Sequence, residues 1–360
     1  MRAKLKDVAL RAGVAPNTAS MILNRDPSSW SSEATRQRVF KAAEELKYQP
    51  SRAAVSLRCG KFNTIGLAIP DLTNPFYGVF AENLDAEIDK HGYDLVIEST
   101  RTNSDNERDC LQSLIDRNVD GFVCSLMDNY AQRDIFEQQF NAGKAIVALA
   151  ETMVPEMPVD TLRIDFTKGM TEAIKHLVAL GHRRIEFLVA IPTGQKDEGE
   201  RPALFRKLMQ EAGLPESSAG FTKCDQTMSG ARASALWLLS QKQRPTAIVA
   251  QNDVAAIGVM RAAADLGLAV PNDLSVVGVD NTPIAEHLIV ALTTVEQPIG
   301  AMARGAAELL LNRMKNPTSA GPERREFSTR LIVRESTAAP QSTPAPKKRP
   351  EKGHPEKDPA

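Results

Sequence analysis

The residues best suited to chemistry fall into two groups. The first lies in residues 16–24, PNTASMILN. Wound as a helix at 100° per residue, Asn17, Met21 and Asn24 fall opposite an apolar stripe of Ala19, Ile22 and Leu23. A carboxamide such as that of Asn17 can bond bidentately to N6 and N7 of adenine in a major groove. The hydroxyls of Thr18 and Ser20 suit phosphate oxygens, which position a protein without specifying sequence. Pro16 opens the segment, so Pro16, Asn17, Thr18, Ser20, Met21 and Asn24 are the candidate nucleic-acid contacts there. The second group sits at the ends of apolar runs. Asp71 follows TIGLAIP, Ser125 follows GFVC, Asn252 closes AIVAQN and Asp280 closes LSVVGVD. Arg201 opens an amphipathic stretch after RIEFLVA. A carboxylate, an amide and a guanidinium converging on one cleft suit a polyhydroxylated or otherwise polar ligand. Taken singly, each strand-end polar residue is equally a helix cap.

Other chemistry finds little support. The five histidines, His91, His176, His182, His287 and His354, show no triad, metal or HExxH spacing. His182, in GHRRI, reads as structural. No pair of acids is placed for acid–base work, and no glycine-rich loop cradles a phosphate. Cys59, Cys110, Cys124 and Cys224 are scattered without metal or redox spacing, as expected of reduced thiols in a cytosolic protein. The expectation is a chain with no catalytic residues, no metal and no cofactor.

Three helices must position the first group. Leu5, Val8, Ala9 and Ala12 pattern a helix that breaks at Gly13. A second runs from about Pro16 to Asn24, and a third from about Ser32 to Lys47 with Val39, Ala42, Ala43 and Leu46 inward. Ser31 or Ser32 can cap the third. Three short helices with a basic surplus also suit a protein-docking bundle. Residues 51–58, SRAAVSLR, are helix-capable but too few to hold a helix alone.

From residue 64 the pattern becomes strand, helix, strand, with apolar runs at 64–70, 94–100, 121–126, 145–150, 161–166, 184–190, 247–252 and 274–280. Such alternation argues parallel sheets with helices on both faces, and its length argues two lobes. In such sheets ligands bind beyond the carboxyl ends of the strands, where the second group stands. Charge is uneven. Residues 1–61 carry twelve Lys/Arg against five Asp/Glu and residues 337–360 five against three, which leaves 27 against 37 between them. A basic head on an acidic body fits a polyanion bound by the head alone. The last 24 residues hold six prolines and no large apolar side chain, so 337–360 is expected to be disordered. No apolar run reaches membrane-spanning length, and MRAKLKDVALRAG lacks a secretory h-region, so a cytoplasmic, nucleoid-associated protein is expected.

Taken together, LKDVALRAGVAPNTASMILN and SSEATRQRVFKAAEELKYQPSRAAVSLR resemble the head and hinge of LacI/GalR regulators. The likeness continues through TIGLAIPDLTNPFY, HLVALGHRRIEFL, GLAVPNDLSVVGVDN, ALTTVEQP and RLIVRES, so it spans residues 5–336. The resemblance implies a small all-α helix-turn-helix head (1–50), a hinge helix and linker (51–61), and an α/β sensor of two doubly wound parallel-sheet lobes, periplasmic-binding-protein-like (62–336). It implies a transcriptional repressor on near-palindromic operator DNA, acting as a homodimer or a tetramer built from two. Residues 51–58 would fold in the minor groove, with Arg52 among the DNA contacts and Leu57 as an apolar wedge that partly unstacks a base step. Asp280, Arg201 and Asn252 would contact a small-molecule effector, with Asp71, Tyr77 and Ser125 lining the other lobe. A sugar is the leading candidate.

The departures matter. Ala15 stands where the family has a capping serine, partly offset by Pro16 at the first helical position. Met21 stands where an arginine is common, and methionine cannot pair bidentately with guanine. Ala150 and Glu151 replace an acid and a following arginine, Leu204 a glycine, and Phe166 an asparagine, which implies a remodelled pocket. The alternative is a small-molecule-binding protein of the periplasmic sugar-binder type with no role on DNA, but such a protein would not carry residues 5–58.

Overall fold

A computed structural model describes residues 3–24, 30–48, 62–126, 130–150, 157–190, 200–215, 218–225, 227–317 and 321–341. The expected hinge with Arg52 and Leu57, the Glu151 position and most of the C-terminal tail lie outside the described residues. The chain divides into two units, Met1–Asn63 and Thr64–Ala360.

In the first unit, helices α1 (Leu5–Ala12), α2 (Pro16–Leu23) and α3 (Glu33–Glu45) close around Val8, Ala9, Ala12, Ala19, Ile22, Val39 and Ala42. Gly13 ends α1 in the left-handed region at φ 68°, where a side chain would be strained. Ala15 makes no side-chain cap on α2, and Pro16 takes the first helical position. Ser32 is the residue that caps α3, its Oγ accepting from Thr35 N at 3.3 Å. Arg11 and Glu45 tie α1 to α3 at 2.9 Å.

The second unit holds two sheets of six strands each. In the first lobe lie β1 (Thr64–Ile69), β2 (Asp94–Ser99), β3 (Gly121–Ser125), β4 (Ala145–Ala150), β5 (Asp160–Asp165) and β11 (Arg324–Ser328), in the order β11-β5-β4-β3-β1-β2 and all parallel. The second lobe holds β6 (Ile185–Ala190), β7 (Ala219–Cys224), β8 (Ala247–Ala250), β9 (Ser275–Asp280), β10 (Thr293–Glu296) and β12 (Arg330–Ile332). Their order is β12-β10-β9-β8-β6-β7, with only β12 antiparallel. Helices α4 (Pro75–Asp89), α5 (Glu107–Asp116) and α6 (Arg133–Asn141) follow β1, β2 and β3. Helices α7 (Thr167–Ala179), α8 (Glu200–Glu211), α9 (Met228–Leu239) and α10 (Asp253–Asp265) serve the second lobe, and α11 (Ile299–Lys315) returns to pack on α4 and the first sheet.

The backbone therefore crosses between lobes after β5, after β10 and after β11. The first and third crossings are joined directly, since Thr329 donates from N (3.2 Å) and Oγ1 (3.0 Å) to the Asp165 carbonyl. Gly169 allows α7 to sit on them. A Cβ there would lie 2.5 Å from Val295 Cγ1 and 2.6 Å from Thr329 Oγ1.

Four strands, β7, β10, β11 and β12, escape the sequence pattern. Three of them are edge strands, and RREFS and AGFTKC carry charge or glycine because an edge need not be apolar on both faces. The tail boundary also moves. Ala338 N donates to Ser275 Oγ (3.0 Å), and the Ala338 carbonyl accepts from His182 Nε2 (2.9 Å), so the lobe extends past residue 336. Because that carbonyl only accepts, Nε2 carries the proton and Nδ1 accepts from Thr246 Oγ1 at 2.9 Å. Burial pushes the His182 pKa down, which keeps the ring neutral and structural.

A second buried tie closes the far end of the first lobe. Arg313 on α11 and Asp160 at the start of β5 are 6% and 2% exposed. Arg313 donates from Nε (3.1 Å) and Nη2 (2.6 Å) to the two carboxylate oxygens, while Glu323 N donates to Asp160 Oδ1 at 2.7 Å.

Candidate DNA-reading helix and small-molecule cleft

On α2 the inward stripe of Ala19 and Ile22 leaves Pro16, Asn17 and Asn24 exposed and Thr18 and Met21 half-buried. Asn17 Nδ2 lies 4.0 Å from Met21 Sδ, so the two side chains of the outward face touch one turn apart. Ser20 does not belong with them. It is 7% exposed and receives Asn24 Nδ2 on its Oγ (3.3 Å) and on its carbonyl (2.8 Å). Ser20 lies 100° from Ala19 on the helical wheel, and its buried hydroxyl, covered by the Asn24 amide, is not presented to a phosphate as the outward hydroxyl expected from the sequence. The Asn24 amide folds back onto α2 and must swing outward to reach a base.

In the first lobe the register that pairs Ala68 with Cys124 sets Ile69 level with Ser125. Asp71 and Ser125 therefore share one end of the sheet. Asp71 is half-buried, and its Oδ1 accepts from Thr73 N (2.7 Å) and Thr73 Oγ1 (2.9 Å). That turn delivers Asn74 to cap α4 through Phe76 N at 3.0 Å. Tyr77, half-buried, packs edge-on against Phe76 with ring centroids 5.1 Å apart.

In the second lobe β8 and β9 run parallel and pair Val249 with Val277, so Asn252, two residues past β8, and Asp280, the last residue of β9, lie at the same carboxyl end. Asn252 caps α10, its Oδ1 accepting from Ala255 N at 2.8 Å, so half of its carboxamide is structural. Arg201 is the second residue of α8 and 9% exposed. Its Nη1 donates to the Gln251 carbonyl at 2.6 Å, and the guanidinium lies over the Phe166 ring, 4.8 Å from the centroid. Arg201 and Asn252 are thus joined through the intervening Gln251.

Asp280 is 4% exposed with φ at 116°, a strained backbone for a residue with a side chain. Its Oδ1 accepts from Gln297 Nε2 at 2.6 Å, which ties this carboxylate to the β10–α11 crossing.

Sequence reasoning missed the residues that support this end. Asp253 is fully buried, accepting from Thr282 N (2.7 Å) and Oγ1 (2.8 Å) and from Thr294 Oγ1 (2.6 Å). It fixes the turn after Asp280, and burial pushes its carboxyl pKa up. A charged residue inside the apolar sequence AIVAQNDVAA was the available signal. Phe166, noted only as a departure, proves to be the surface on which Arg201 rests.

Cys110, Cys124 and Cys224 are buried thiols, and burial raises the pKa of each, that of Cys224 to about 12. Among the described residues no group of three His, Cys, Asp or Glu could hold a metal, and no helix is long and apolar enough to cross a membrane.

Comparison with known proteins adds three kinds of match. Residues 4–51 match the family of bacterial regulatory proteins, lacI family, and residues 174–337 the periplasmic binding protein-like domain. The HTH-type transcriptional regulator DegA of Bacillus subtilis is 32% identical over 94% of this chain and 99% of its own length. The crystal structure of the lac repressor dimer bound to operator and the anti-inducer ONPF superposes with a TM-score of 0.80 at 26% identity, covering 94% of this chain and all of that one. A complex of the transcriptional regulator CelR with cellobiose superposes with a TM-score of 0.65 at 28% identity, covering 93% of this chain and all of that one.

Proposed function

This chain belongs to the lacI family of bacterial regulatory proteins, and on that premise we propose that it is a repressor whose grip on operator DNA is set by a small polar ligand held between its two lobes. The observation that carries the reading is the outward Asn17–Met21 face of α2, with Asn17 exposed and Met21 half-buried, supported from behind by a closed apolar core. In a helix-turn-helix this second helix enters the major groove. The match of residues 4–51 to the family weighs against a sugar-binding protein with no role on DNA.

The ligand contacts are Arg201, Asn252 and Asp280 from one lobe and Asp71, Tyr77 and Ser125 from the other. The similar lac repressor and CelR structures hold ONPF and cellobiose, which supports a sugar or a related polar metabolite. The protein acts on the nucleoid in the cytoplasm, binding rather than transforming its ligand. A homodimer presents two heads to the two halves of a near-palindrome. Met228, Ile284 and Ile289 are large apolar side chains left 44%, 42% and 103% exposed on the second lobe, and cover by a second copy accounts for them. A ligand shifts DNA binding only as far as it prefers one arrangement of the lobes over another. Rearrangement of the lobes changes the spacing of the two hinges, and with it the ability of residues 51–58, Arg52 and Leu57 included, to remain folded in the minor groove.

Base preference follows from Met21. Selection of the full-length chain on randomised half-sites is expected to return adenine opposite Asn17 and no guanine requirement opposite Met21, where an apolar contact such as a thymine methyl fits. Met21→Arg is expected to switch that position to guanine with about 1–3 kcal/mol of discrimination. A strict guanine opposite Met21 in the wild-type selection would overturn this assignment.

A further inference from the structure

Arg163 stands on β5 of the first lobe, and three carboxylates surround its guanidinium. Nη1 lies 2.8 Å from Glu326 on the neighbouring β11 and 4.0 Å from Asp165 on the same strand. Nη2 lies 3.7 Å from Glu200. The first two carboxylates belong to the sheet that carries Arg163. Glu200 does not: it opens α8, which packs on α7, β6 and β7 of the second lobe. The contact therefore bridges the two lobes, and it does so one residue before Arg201.

We propose that Arg163 and Glu200 form an electrostatic latch that holds the two lobes in the arrangement seen here. The inference rests on the reading that lobe movement carries the ligand signal. Its physical basis is independent of any ligand. Arg163 is anchored to its own lobe by Glu326, with Nε buried and without a hydrogen-bond partner among the described residues. Its position is thus fixed from one side, and the only motion needed to break the contact with Glu200 is displacement of the start of α8. Attraction between unit charges falls as the inverse of distance, so about 4 Å of lobe opening halves it, and water and salt entering the gap weaken it further. Side-chain exposures of 21% for Arg163 and 47% for Glu200 leave the pair open to salt. The latch therefore biases the lobes without locking them, which a two-state sensor requires. Its position beside Arg201 places the latch and the ligand-binding guanidinium on the same first turn of α8, so a ligand that pulls on Arg201 also moves Glu200.

The test is a pulsed spin-label distance measurement on the full-length protein, without ligand or DNA. One nitroxide is placed on each lobe, through Lys90→Cys and Lys242→Cys in a Cys59→Ser background. Glu200→Lys is expected to lengthen and broaden the interlobe distances at low salt, with a several-fold rise in the open population. At about 0.5 M salt the wild type and the variant are expected to converge, because screening removes the attraction the variant lacks. Asp134→Asn, which breaks an exposed ion pair with Arg108 within the first lobe and away from the latch, is expected to leave the wild-type distances in place. Identical distributions for Glu200→Lys and wild type at low salt overturn the latch, as does a difference that persists unchanged at high salt. A latch that behaves as expected in a protein that binds no small molecule would leave this inference standing and remove only the ligand reading.

Discussion

Replacing Arg201 by alanine is expected to shift the ligand response to roughly 10- to 150-fold higher ligand concentration, while operator affinity without ligand stays within about threefold. Arg201 is held by the Gln251 carbonyl on one edge and the Phe166 ring on one face, so its charge is fixed before any ligand arrives. Hydrogen bonds to a charged group contribute about 1.5–3 kcal/mol, so losing them weakens ligand binding by roughly 10- to 150-fold. Arg201→Lys is expected to recover only part of that loss, because an ammonium cannot reproduce the planar fork or its stacking on Phe166. The measurement is operator titration against a ligand found by thermal-shift screening of sugars and related metabolites. A variant that responds at the wild-type ligand concentration moves the site away from Arg201. The head is a separate unit with its own core, which is why DNA affinity is expected to survive.

Replacing Arg313 by leucine is expected to destabilise the sensor unit by about 3–5 kcal/mol. The substitution leaves Asp160, 2% exposed, without its bidentate partner. The same carboxylate holds Glu323 N, and Arg313 Nη2 donates to the Gly321 carbonyl, so the approach to β11 loosens with it. Exchanging both members, Arg313→Met with Asp160→Asn, is expected to recover much of the loss, since two uncharged groups carry a smaller burial cost than one orphaned charge. Urea unfolding followed by circular dichroism reads both variants. A single variant within about 1 kcal/mol of the wild type would show that water reaches Asp160 and that the pair is not the tie described here.

What the sequence revealed and what it hid follow from the range of the forces involved. Helix α2 was legible because its stripe of Ala19 and Ile22 repeats within one turn, and β1, β3 and β9 because a strand buried on both faces must be apolar throughout. Strands β7, β11 and β12 were hidden because an edge strand need not be apolar on both faces, so each lacks the continuous apolar run that marks a central strand. Ser20 was misplaced because polarity alone cannot tell an outward hydroxyl from one shared with Asn24. That the candidate polar residues stand at strand ends was legible from their positions, and the structure puts Asn252 and Asp280 at one end of their sheet and Asp71 and Ser125 at one end of theirs. Their supports were not. Asp253 is held by Thr282 and Thr294, Asp280 by Gln297, and Arg163 reaches Glu200 across the lobes, all contacts between residues distant in sequence.

The central claim is sequence-specific DNA recognition by this chain, and one titration tests it most directly. The full-length protein is titrated with the near-palindromic site recovered by selection and with a scrambled duplex of the same composition, across a salt series. The account predicts a preference for the site of at least about 10³-fold near physiological salt, with both affinities falling steeply as salt rises. Equal affinity for the two duplexes at every salt concentration would contradict it, because phosphate attraction alone, with no base read by Asn17 or Met21, would then account for all of the binding.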